Sequence, residues 1–116
     1  MRGSLWLISP GAAQRIGVPK VRPWLILQDD VFAAYEGRIA CPLTSVVDAK
    51  TGRKRVPRDT QIPYTNKGHE SHISCDSLYT IKNDEFLKHV GDIDPDMMTK
   101  VFIVVSLVLG SEILRK

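Results

Sequence analysis

Apolar residues are spaced differently in successive parts of the chain, and each change of spacing predicts an element. Trp24 to Leu27 is continuously apolar, which suits a short strand covered on both faces better than a surface strand of alternating sides. Arg22-Pro23 precedes that run and Asp29-Asp30 follows it, so the strand has a cation at one end and two carboxylates at the other. Leu5 to Ile8 reads as an earlier strand ended by Ser9-Pro10-Gly11, and residues 11–20, with two glycines, a proline and two cations, read as a loop. After a connection from Val31 to Gly37, residues Arg38 to Leu43 form a third strand, in which Pro42 implies an edge position or a kink. Thr60 to Tyr64 follows as an edge strand, then a polar loop, Thr65 to Ser71, centred on Asn66-Lys67-Gly68. His72 to Asp76 alternates polar and apolar and Leu78 to Ile81 continues it, so His72, Ser74 and Asp76 share one face opposite Ile73 and Cys75.

Beyond Ile81 the period changes. Asn83 as an N-cap, Asp84 and Glu85 behind it and Gly91 at the end predict a short helix over 84–89. Asp94 as N-cap with Pro95 at the first helical position predicts a second helix running to Gly110. Its stretch from Val101 to Leu109 is apolar nearly all round, which asks for cover on more than one side and points to a dimer interface. Short strands with few helices, the last at the carboxyl end, predict a mainly β, α+β fold: a small, strongly bent sheet or barrel with helices on one side. With 116 residues, 43% of them hydrophobic, the chain suffices for one domain, 1–116, and not for two.

Charge adds a direction. Residues 1–67 hold eleven Lys or Arg against five Asp or Glu, and residues 68–116 hold five against eight, so the first part is the anion-facing one. Its densest stretch, Lys50 to Arg58, carries Arg53, Lys54 and Arg55 beside a Thr51-Gly52 turn and suits a polyphosphate backbone. Arg15 and Lys20, from the 11–20 loop, would be delivered beside Arg22. Leu5 to Ile8 falls well short of a signal-peptide core and Val101 to Leu109 far short of a membrane span, which predicts a soluble, cytoplasmic protein with no membrane partner. Cys41 and Cys75 suit a reducing compartment as small core residues.

An arginine held extended before a proline can present its planar fork to a phosphate at little entropic cost, which makes Arg22 the first candidate for chemistry. His69, His72, Cys75 and Cys41 are zinc-type ligands, but residues three apart on a strand point to opposite faces and no close Cys-x-x-Cys pair is present, so no metal and no cofactor are expected.

Taken together, Arg2-Gly3-Ser4-Leu5-Trp6, Val21-Arg22-Pro23, Cys41-Pro42-Leu43-Thr44-Ser45, Cys75 to Ile81 and Val90-Gly91-Asp92-Ile93 resemble, in order and spacing, the MazF/PemK (Kid) toxins over nearly the whole chain. The resemblance implies an SH3-like barrel with a C-terminal helix, a homodimer, a cognate antitoxin as partner and metal-independent cleavage of single-stranded mRNA. It places the family's catalytic arginine on Arg22, its threonine on Thr44 with Ser45 beside it, and its acidic residue on Asp76. Ser74 stands where the Kid branch has a second arginine, so Arg22 acts alone, or His72 or a cation of the basic loop substitutes. Asp76 serves as base or orients one, and His69 or His72, of the residue type that titrates near neutrality, serves as acid. Tyr64 or Tyr79 offers a stacking face to an unpaired base. The alternative is a non-catalytic toxin like the related CcdB proteins, which share the fold and act by binding DNA gyrase.

Overall fold

The strand β2, Trp24–Ile26, is fully enclosed, with Trp24 to Leu27 no more than 6% exposed. Enclosure comes from both faces of the sheet, as the unbroken apolar run requires. Leu25 and Leu27 pack with Leu5, Cys41, Leu43, Ile73 and Val101 on one side, while Trp24 packs with Ala40 and Ile81 on the other. The computed structural model describes the backbone of residues 2–18, 20–30 and 36–114, so most of the connection expected over 31–37 lies outside the described residues.

Seven antiparallel strands make the sheet: β1 (Ser4–Ile8), β2, β3 (Gly37–Ser45), β4 (Gln61–Asn66), β5 (His69–Ser74), β6 (Tyr79–Lys82) and β7 (Phe86–Asp92). Their order is β4-β5-β3-β2-β1-β7, with β6 also paired to β3. The mainly β expectation holds, with the barrel left open: the edges β4 and β7 do not pair among the described residues, although they approach where a Cβ on Gly91 would lie 3.3 Å from Asn66 Nδ2. Gly91, expected as a helix stop, is instead a point of close approach.

Pro42 is neither on an edge strand nor excluded from the sheet's centre. Along one side β3 pairs with β2; along the other it pairs with β6 over Gly37 to Ala40 and with β5 over Leu43 to Ser45. Leu43 N donates to Pro23 O on the β2 side, so the position one residue earlier faces the gap between β6 and β5, where a missing N–H leaves no ladder bond unmade.

Three local expectations are corrected as well. Residues 11–20 are not all loop: Ser9 caps a helix α1 (Pro10–Arg15) by accepting from Ala12 N at 3.2 Å, and Pro10 occupies its first turn. The helix over 84–89 is absent; Asn83–Glu85 is a single 3-10 turn and Phe86–Asp92 is β7. There β1 offers a free edge, and Trp6 packs edge-on against Phe86 and tilted over His89 at 6.0 and 5.2 Å, so tertiary pairing overrides local helical signals. The 65–71 loop shrinks to a two-residue hairpin turn at Lys67 (φ 51°) and Gly68 (φ 81°), the left-handed pair that joins tightly twisted strands.

The second helix is as expected: α2 (Pro95–Leu114) starts with Met97 N donating to Asp94 Oδ1 at 2.9 Å and departs from helical backbone at Gly110. Met98, Val101 and Val105 close the core beneath it, while Ile103, Leu107 and Leu109 stay exposed. Among the described residues no helix is long and apolar enough to cross a membrane.

Candidate functional site

The chain enters β2 extended through Arg22-Pro23, and antiparallel pairing of β2 with β3 sets Arg22 near Thr44. Together these two residues form a ridge between two clefts, lining both. One cleft, of about 400 Å³, is walled by β3, β5 and the basic segment and includes His72, Ser74, Arg55, Arg58, Gln61 and Tyr79. The other, of about 470 Å³, includes Ser45, Asn66, Lys67, His69 and Ser71 with Leu5, Leu43 and Val90.

Arg22 is half-buried, and its Nε is buried with no hydrogen-bond partner. Burial first, and then repulsion from Arg55, pull its guanidinium below the usual arginine range. Opposite it, Thr44 Oγ1 lies 3.4 Å from both the His72 carbonyl oxygen and Ser74 Oγ, a consequence of the Thr44 to His72 register between β3 and β5. Gln61 completes that cluster by donating from Nε2 to Ser74 Oγ at 3.1 Å and to Thr44 Oγ1 at 3.4 Å. The cluster holds the threonine hydroxyl at the cleft wall.

The strand face expected to carry His72, Ser74 and Asp76 is split. His72 and Ser74 are buried on β5, but β5 ends at Ser74 and Asp76 lies on the turn that follows, where Ser77 N donates to Ser74 O. There the Asp76 carboxylate accepts from Thr60 Oγ1 at 2.8 Å and from Arg58 Nη2 at 3.1 and 3.3 Å. Burial alone would raise its pKa, but these donors more than offset burial and hold it below the ordinary aspartate value.

The other candidates divide. Arg55, Ser74 and Tyr79 stand in the first cleft, with Tyr79 edge-on to Trp24 at 5.7 Å; Ser45 and His69 stand in the second. Tyr64 packs against the core and lines neither. Arg15 donates to Glu85 at 2.6 Å, which ties α1 to the turn before β7, and Lys20 is exposed outside both clefts. Arg53 and Lys54 lie on the hairpin tip, where Asp48 N bonds to Arg53 O and Lys54 Nζ meets Glu70 at 3.0 Å. The carboxylates at the far end of β2 do not reach the clefts: Asp29 and Asp30 hold the side chain and backbone N–H of Arg2. Cys41 and Cys75 are core thiols, Cys75 raised to about 11 first by burial and then by Asp76, while His69 is exposed, so the four zinc-type residues do not converge. Gln61, Thr60 and Arg58 were missed as site residues because their partners, Ser74 and Asp76, are distant in sequence.

The fold is shared with solved structures at low identity. An endoribonuclease in complex with its cognate antitoxin from a mycobacterial species superposes with a TM-score of 0.72 at 20% identity, covering 95% of this chain and 94% of that one. A chain of the MazE-MazF crystal structure from Deinococcus radiodurans gives 0.69 at 16% identity over 93% of this chain and 92% of that one. The Mycobacterium tuberculosis toxin MazF-mt6 gives 0.66 at 18% over 91% and 95%. A search of the curated proteins finds no match. At sequence level, residues 1–109 match the profile of the PemK-like, MazF-like toxins of type II toxin-antitoxin systems, and the chain belongs to that family.

Proposed function

We propose that the ridge of Arg22 and Thr44 binds the scissile phosphate of single-stranded mRNA and that the protein is a metal-independent, sequence-specific endoribonuclease. The observation that carries this reading is the partly buried Arg22 guanidinium with an unpartnered Nε, flanked by a hydroxyl and open on two sides to clefts of nucleotide size. A desolvated cation without a protein partner is costly, and a phosphodiester crossing the ridge relieves that cost. Cleavage then needs a group to accept the ribose 2′-hydroxyl proton as that oxygen attacks phosphorus, and a donor for the departing 5′-oxygen. His72, in the wall of the first cleft, and His69, in the second, lie on the two sides of the ridge as such an exchange would require. The family match and a fold relative named endoribonuclease support the catalytic reading, and none of the relatives described above supports a CcdB-like one. Purified protein incubated with a long unstructured RNA in EDTA is expected to cut at a repeated short sequence; gyrase inhibition without any cut would overturn the proposal.

The apolar surface of α2 supports a homodimer. Ile103 (57% exposed) and Leu107 (50%), one turn apart on α2, form an apolar strip that a second copy of this chain would cover. The protein is expected to sediment as a dimer at micromolar concentration and Leu107→Glu as a monomer. A monomeric parent would refute the interface.

As with the relatives crystallised with antitoxins, a cognate antitoxin is the expected cytoplasmic partner. An acidic, largely disordered segment would fit the positive surface around Arg22 and residues 50–58, imitating phosphates while its apolar residues supply anchoring.

A further inference from the structure

Arg58, at the end of the basic segment, reaches the first cleft from the turn that leads into β4. Residues 58–61 form a closed turn in which Arg58 N donates to Gln61 Oε1 at 3.0 Å and Gln61 N to Arg58 O at 2.9 Å. Gln61 of that turn reaches Ser74 and Thr44, so the turn is bolted to the same hydroxyls that flank the phosphate ridge. Arg58 itself uses only Nη2, toward both Asp76 oxygens; its Nε and Nη1 make no hydrogen bond among the described residues. Thr60, also on the turn, fixes the carboxylate that fixes the arginine.

This arrangement is poor as a stabilising device, because an ion pair with Arg58 61% exposed contributes little to folding. It is well suited to holding a cation in place: the carboxylate takes one nitrogen and leaves the rest of the fork for a ligand in a cleft that Arg22 also lines. A bare carboxylate at that wall would repel a phosphate, whereas one covered by a guanidinium does not.

We propose that Arg58 is a second phosphate-binding cation of this site, supplying the charge that Ser74 cannot, and that Asp76 and Thr60 are positioning residues that hold it. This rests on the reading of the cleft as an RNA-cleaving site. The depressed Asp76 carboxyl agrees with it, since a carboxylate held ionised by donors is a weak proton acceptor at neutral pH.

The test is a double-mutant cycle with single-turnover cleavage of an RNA that the parent cuts, together with binding of the same RNA carrying a 2′-deoxy group at the cut site. Arg58→Ala is expected to lower the cleavage rate about 100-fold, the effect of losing one preorganised charge contact, with Arg58→Lys recovering part of it. It should also reduce the slope of log affinity against log salt by about 0.7, one single-strand phosphate contact. Asp76→Asn should lower the rate about tenfold in the parent and not at all in the Arg58→Ala background, leaving the shape of the pH profile unchanged. Multiplicative losses, or a lost acid limb in Asp76→Asn, would make Asp76 a base acting on its own and overturn the proposal; so would parent-like cleavage by Arg58→Ala. No cleavage by the parent protein would instead fail the functional reading beneath it.

Discussion

Arg22→Met is expected to lower RNA cleavage by about two to three decades while the protein melts no lower than the parent. The two halves of that result have one cause. In the free protein the Arg22 guanidinium loses solvation to burial, gains repulsion from Arg55 and has no partner for its Nε, so the folded state carries an unrelieved charge. Methionine keeps the aliphatic stem that packs at the strand entrance and removes the charge, which relaxes the free protein. The transition state loses the cation at the phosphate. Thermal denaturation and single-turnover cleavage measured on the same preparation decide the matter: cleavage near the parent rate would remove Arg22 from the centre of the mechanism, and a large fall in melting temperature would make it a structural residue. Arg22→Ala is expected to behave alike in cleavage, with some stability lost through the missing stem.

How far the sequence could be read depended on whether a segment's partner is near in the chain. Trp24 to Leu27 and α2 were legible because an unbroken apolar run, and an Asp-Pro start before a glycine stop, are local statements about burial and capping. Phe86 to Asp92 was not, because what makes it a strand is the edge of β1, about eighty residues earlier, and its local capping residues serve only a 3-10 turn. The helix α1 had a readable start in Ser9-Pro10, masked by Gly11 and Gly17; the second of these has φ 77° just past the helix, the position where a glycine ends one. Within the site, Arg22 was legible because Pro23 restricts it locally, and Thr44 because its motif resembles a family pattern. Sequence proximity sets Arg15 beside the cations of the cleft, yet Glu85 holds it elsewhere. Arg58 stood within the basic segment without a role, since nothing in its own neighbourhood names Asp76 as its partner.

The hairpin tip should set the salt dependence of RNA binding without taking part in the chemistry. Replacing Arg53, Lys54 and Arg55 with serine removes three cations, which at about 0.7 per single-strand phosphate contact sets a ceiling near 2 on the change in slope of log affinity against log salt. The structure lowers that ceiling. Lys54 sits 3.0 Å from Glu70 and must exchange one anion for another to meet RNA, a trade that contributes little. Arg53 makes no side-chain bond among the described residues, and Arg55, 3.7 Å from Asp48, already stands in the first cleft. Two effective contacts imply a slope change of about 1.4, so across a fourfold rise in salt the parent should lose about sevenfold more affinity than the variant. Removing Arg55 also removes the charge that raises the cost of ionised Arg22, so cleavage of RNA once bound should hold or improve while affinity falls. Inhibition by an acidic antitoxin segment should follow the same slope, because both ligands would meet one positive field. A triple variant that bound RNA at low salt as tightly as the parent would reduce residues 50–58 to a solvated turn and separate the antitoxin surface from the RNA groove.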